Sequence, residues 1–200
     1  MARRPAPSIQ GMEFRPVLAL RAALLTLLAA GLQSCGTPVL PGPAALAPAE
    51  ALQMRNFVPE ALRQQIVTAP PKGGAETGRW WGSKLSNQAL RVALEESLQA
   101  AELHARRPEP PARFELAAEL LVLEQPLVAL EVTVRTAVRY RLLDRNANNR
   151  ILYERVVRTE QNADLGDALL SLPERQRIAT ERALHASIQT MLRDVVALRP

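Results

Sequence analysis

The stretch from Val17 to Ala30 is an apolar run of 14 residues broken by Arg21, and it follows Arg3, Arg4 and Arg15. A helix that crosses a bilayer needs about 20 apolar residues, so this run falls short of a span. A basic start, a short apolar core and then small residues is the pattern of an export signal. That reading removes residues 1–34 from the fold. It leaves 166 residues, enough for one domain with a real core. Met12 is a second candidate start, because Glu13 to Ser34 alone has the length of a signal and keeps both Arg15 and Arg21.

The run closes in Leu32-Gln33-Ser34-Cys35. This tetrad resembles the lipobox of bacterial lipoproteins: Leu32 and Ser34 fit it, and Gln33 stands where a smaller residue is usual. The resemblance implies cleavage before Cys35 and attachment of acyl chains, palmitate among them, to that residue. Gly36 after the cysteine, rather than Asp, is similar to lipoproteins sent on to the outer membrane. The implied place is the periplasmic side of the outer membrane, with the inner membrane as the alternative.

The whole chain holds 25 Lys+Arg against 20 Asp+Glu, a net +5. Four of those arginines (Arg3, Arg4, Arg15, Arg21) and one acid (Glu13) lie before Cys35, which leaves 21 against 19 and a net +2. A nucleic-acid binder needs a concentrated basic face, and a nearly balanced exported chain gives no support for that partner. Cys35 is the sole cysteine, so no disulfide within the chain and no thiolate metal cluster can form. No cofactor is expected.

Between Cys35 and Asn56 the chain is rich in Pro and Ala, with Pro38, Pro41, Pro43 and Pro48 close together. Proline removes amide donors and favours extended backbone, so residues 35–56 read as a lipidated tether and residues 57–200 as a single domain. Leu62 to Ala69 is a short strand candidate, closed by Pro70-Pro71 and Gly73-Gly74. Ser86 is a candidate N-cap for a helix to about Ala105, with Leu90, Leu94, Leu98 and Ala101 on one face. Phe114–Gln125 and Val132–Leu143 alternate as strands, Asp144 to Asn149 is a turn, and Ile151–Thr159 returns. Pro173 opens a last helix striped by Ile178, Leu184, Ile188, Met191, Leu192 and Val195.

Closing the second hairpin symmetrically about Asp144–Asn149 sets Tyr140 opposite Tyr153 and Arg139 opposite Glu154. Closing the first about Leu127 sets Leu116 opposite Tyr140, Val122 opposite Val134 and Glu115 opposite Arg141. Both registers share one apolar face and put opposite charges together on the other. Arg155 is the misfit, on the apolar side. The expected fold is α+β in the order β-α-β-β-β-α, a small, largely antiparallel sheet of about four strands with two helices on one face.

This order resembles that of the lipopolysaccharide-assembly lipoprotein and of the auxiliary lipoproteins of lipid-transporting ABC systems. Trp81-Gly82-Ser83-Lys84-Leu85-Ser86-Asn87 through Leu98, then Leu123-Glu124-Gln125-Pro126-Leu127, is also similar to an uncharacterised proteobacterial lipoprotein family. The only functional residue that the resemblance carries over is Cys35.

A catalytic set is missing from the pattern. His104 sits at a helix end beside Arg106 and Arg107, and His185 lies on the last helix, each without a carboxylate or second histidine at ligand spacing. Ser83, Ser86 and Ser171 lie in no nucleophile-elbow context. Arg135, Arg139 and Arg141 alternate along one strand and form a candidate face for anionic lipid or lipopolysaccharide phosphates. Interleaved glutamates make an ordinary solvated sheet face the simpler reading. Leu121 and Leu123 share that outward face, and with Leu127 and Trp80-Trp81 they form a candidate contact patch.

The expected role is a lipid-anchored envelope binding or assembly protein that is not an enzyme. Its expected partners are the membrane, through acylated Cys35, and an envelope protein. The alternatives are an accessory that handles lipid or lipopolysaccharide for a transport system, and an envelope acyl or glycan transferase.

Overall fold

The computed structural model describes residues 37–74, 84–106, 111–126, 131–169 and 171–200, all within one compact unit, Cys35–Pro200. Among them the order is α1 (Pro41–Ala44), α2 (Pro48–Arg55), β1 (Ile66–Thr68), α3 (Asn87–Ala100), β2 (Phe114–Glu124), β3 (Val132–Asp144), a 3-10 turn (Arg145–Ala147), β4 (Arg150–Ala163) and α4 (Leu172–Val196). The four strands form one sheet in the order β1-β2-β3-β4, with β1 parallel to β2 and the rest antiparallel. The two longest helices lie on one face, which is the expected α+β arrangement.

Strand alternation dictates that face. Phe114, Leu116, Leu120, Val138, Tyr140 and Leu142 are each no more than 3% exposed and pack against Leu90, Leu94 and Leu98 of α3 and Leu184, Ile188 and Leu192 of α4. Both helices start at a serine. The Ser86 hydroxyl accepts from the Ala89 amide at 3.0 Å and the Ser171 hydroxyl from the Glu174 amide at 3.3 Å, satisfying donors that a bare helix end leaves free. Within the interlayer, the Tyr140 hydroxyl meets that of Ser187 at 3.0 Å, so its polar tip is satisfied where it is fully buried.

Three expectations need correction. Residues 35–56 are not a free tether over their described part. Val39, Ala44, Ala45, Leu46, Ala51 and Met54 are buried in the main core. The Leu46 amide donates to Ser97 Oγ at 2.9 Å, the Leu40 amide to Glu181 at 2.7 Å, and Arg55 Nε to the Ala100 carbonyl at 2.7 Å. Proline sits in the first turn of both α1 and α2, where its missing amide costs nothing, and the small alanines let the segment approach α3 and α4 closely.

The second correction concerns the β3–β4 register. Tyr140 faces Arg155 rather than Tyr153, and Arg139 faces Val156 rather than Glu154. The 3-10 turn, left-handed Asn148 and Asn149 (φ 55 and 58) and a register shift between Leu142 and Leu143 move the pairing by two residues. A shift of two preserves the face, so the core side remained correct. The first hairpin is displaced in the same way: Leu116 faces Leu142, and Glu115 faces Leu143 rather than Arg141.

The third correction is a bulge in β2. Pairing passes from Leu120↔Val138 to Val122↔Ala137, and the extra residue, Leu121, reverses the alternation after it. Val122 is therefore exposed (38%) opposite Ala137, not inward opposite Val134. Leu123 turns to the helix side and packs half-buried against the core. Gly73 adjoins this point. Residues 69–72 run along the free edge of β2, with the Ala69 amide on the Leu116 carbonyl (2.9 Å) and the Leu120 amide on the Lys72 carbonyl (2.9 Å). Gly73 then leaves at φ +86, where a Cβ would stand 2.1 Å from the Leu120 carbonyl oxygen.

Candidate functional site

Among the described residues the outer face of the sheet carries no helix, and its side chains follow from the same alternation that built the core. Glu115, Ala117 and Glu119 of β2, Arg135, Ala137, Arg139 and Arg141 of β3, and Glu154, Val156, Arg158 and Glu160 of β4 all point to this side. Arg139 pairs with Glu119 at 3.0 Å, and Arg135 with Glu160 at 3.0 Å, so two of the three alternating arginines already hold carboxylates. The Arg135 guanidinium holds the Glu160 carboxyl below the usual carboxylate range. Arg141 faces Glu154 across the ladder and makes no ion pair among the described residues. Positive and negative groups alternate, so the face is a nearly balanced mosaic rather than a concentrated anion site.

Leu121 (37% exposed) and Val122 (38%) form the apolar part of this face beside buried Ala137. Of the expected patch, Leu121 lies there and Leu123 does not, while Val122 takes the place that pattern alone gave to Leu123. Leu127, Trp80 and Trp81 lie outside the described residues, as do Leu32, Gln33, Ser34 and Cys35.

On the helix side, the misfit Arg155 finds its partner. Its Nη1 and the Tyr153 hydroxyl each donate to the Asp194 carboxylate of α4 at 2.8 Å. Burial, and then the hydrogen bond to Asp194, push the Tyr153 hydroxyl pKa well above its ordinary value. The charge on an apolar strand face was the available signal for this contact, and it called for an acid on α4.

His185 is structural in its contacts, with Nδ1 2.8 Å from the Ala45 carbonyl and Nε2 3.0 Å from the Glu50 carboxylate. It thereby joins α4 to the segment containing α1 and α2. His104 lines an open depression of about 400 Å³ with Gln99, Glu102, Ala105 and Arg106. A second depression of about 400 Å³ is lined by Glu160, Gln161, Asn162 and Arg182. Arg177 lies between Glu174 and Glu181 on α4 and is committed to them. Among the described residues no group of three His, Cys, Asp or Glu could hold a metal ion, and no helix is long and apolar enough to cross a membrane.

Neither a family model nor a curated protein matches the chain. Among solved structures it is similar to a provisional lipoprotein of Caulobacter crescentus, at 18% identity and TM-score 0.46, covering 73% of this chain and 95% of the other. It is similar to a Xanthomonas campestris protein of the DUF330 family, at 13% identity and TM-score 0.49, covering 68% and 86%. A third likeness is to a minor lipoprotein of Acinetobacter baumannii, at 13% identity and TM-score 0.44, covering 70% and 99%.

Proposed function

We propose that this chain is a lipid-anchored cell-envelope protein that acts by binding, through acylated Cys35 to the outer membrane and through its outer sheet face to an envelope protein. The observation that carries the reading is the run Leu32-Gln33-Ser34-Cys35 behind a 14-residue apolar core too short to span a bilayer. Leu121 and Val122 support the second half, because a monomer gains little by exposing adjacent large apolar side chains. The space between sheet and helices is taken up by Tyr140, Phe114, Leu142 and Leu184, so the contact surface is sought outside that layer.

The test is intact-mass measurement of the full chain expressed in a Gram-negative host. The expected product starts at Cys35 and carries diacylglycerol and acyl mass; Cys35→Ser abolishes both the lipid and cleavage before residue 35. An unmodified mature chain starting elsewhere overturns the anchor. For the contact, replacing Leu121 and Val122 together with Ser should leave the melting temperature nearly unchanged and reduce recovery of the envelope partner.

A further inference from the structure

The two edges of the sheet are treated differently. The β1 side is short, and residues 69–73 cover the edge of β2 beyond it. The other edge is β4, 14 residues long, without proline or glycine. Its pairing to β3 runs unshifted from Tyr153 to Ala163. Among the described residues, no backbone hydrogen bond joins the outer side of residues 153–159 to another segment. A long regular edge of this kind is a template for a further strand.

The side chains indicate which strand fits. Val156 faces outward with Glu154 two residues before it and Arg158 two residues after. Both charged groups are exposed, and neither has an ion-pair partner among the described residues, although Arg135, Arg139 and Arg155 on the same two strands all do. A segment with an acid and a base placed symmetrically about an apolar residue is complementary to itself when run antiparallel. We infer that β4 pairs with β4 of a second copy about a two-fold axis at Val156, joining two four-stranded sheets into one of eight strands. In this register Val156 meets its own equivalent, and each Glu154 stands opposite an Arg158 of the other copy, with Cβ atoms about 4.5–5.5 Å apart. The two-fold makes both ion pairs equivalent, as an isologous interface requires.

The experiment uses the full chain purified from membranes, with sedimentation equilibrium in density-matched detergent and mild oxidation as its two measurements. Wild type should sediment as a dimer, and because Cys35 is the sole native cysteine, wild type sets the cross-linking background. Val156→Cys should cross-link to itself above that background. Glu160→Cys should not, because its equivalents lie about 27 Å apart at 3.4 Å per residue. Glu154→Arg sets like charges opposite each other and should weaken dimerisation about tenfold or more, as should Arg158→Glu; the two together should restore it. A monomeric wild type overturns the proposal, as does equal cross-linking at 156 and 160, or a Glu154→Arg chain that dimerises undiminished. Circular dichroism on each variant separates a lost interface from a lost fold: a folded variant that behaves against expectation counts against the proposal. A monomeric wild type that pairs only with a foreign strand also overturns it.

Discussion

The two faces of one sheet are held by forces of different size. On the helix side, Phe114, Leu116, Tyr140 and Leu142 are essentially inaccessible, and each such side chain contributes about 1.5–3 kcal/mol by leaving water. On the outer side, Glu119–Arg139 and Arg135–Glu160 are pairs screened by solvent, whose contribution is small beside that burial. The same strands supply both faces, so stability is concentrated on one of them. The other can change its side chains for recognition at little cost to folding. A small domain without a disulfide thus keeps its stability on one face and leaves the side chains of the other free of that task.

The helix side should tolerate truncation least. Tyr140→Ala should cost about 3–5 kcal/mol in urea unfolding, from the cavity and from the stranded Ser187 hydroxyl. A loss near that of a surface substitution would mean that the layer is not close-packed.

Asp144 comes next. It is 1% exposed and bound by Arg113 at 2.7 Å, and that guanidinium lowers its pKa from the ordinary value. A depressed folded pKa stabilises the protein above the unfolded value, so this contribution is complete above about pH 4 and disappears as pH falls through the lowered value. Asp144→Asn should therefore be less stable at neutral pH and lose part of the acid dependence of the unfolding midpoint. An unchanged pH profile would show that the pair is not coupled to folding.

The bulge separates the two faces within β2 itself. Leu123→Ser should cost about 1–2 kcal/mol because that side chain packs half-buried on the helix side, whereas Leu121→Ser should stay within about 0.5 kcal/mol. Equal losses by thermal unfolding would place both leucines on one face. The smallest effect is a coupling of about 0.2–1 kcal/mol between Arg139 and Glu119 in a double-mutant cycle, with none between Arg139 and Glu154.

The faces of β2 and β3 were legible up to Leu120 because the large apolar residues there recur at every second position, although Thr136 breaks the inner row and Ala117 and Ala137 the outer one. Leu120-Leu121-Val122-Leu123 is apolar at every position, so it carries no phase, and the bulge within it leaves no trace in the pattern. The register of β3 on β4 was missed by two residues for a related reason. Turn composition shows that a reversal occurs, but not how many residues the 3-10 turn and the shift near Leu143 consume. The burial of residues 39–54 was hidden by alanine, which is as compatible with an extended Pro-rich chain as with close helix contact; Ser97, receiving the Leu46 amide, gave no sign in sequence of its partner. At the candidate site, the arginine row was visible but its carboxylate partners were not, because pairing across strands depends on that same register.

The early docking of the chain after Cys35 sets a mechanical limit. Thr37 is already fixed, its carbonyl accepting from the Lys84 amide at 3.0 Å, so only Gly36 lies between it and the proposed acylation point, a span of two residue steps. At 3.3–3.6 Å per residue that leash is about 7 Å long. With Cys35 acylated as proposed, a domain on that leash would be a fixture at the headgroup surface, and whatever it bound would have to be brought to the membrane to be met.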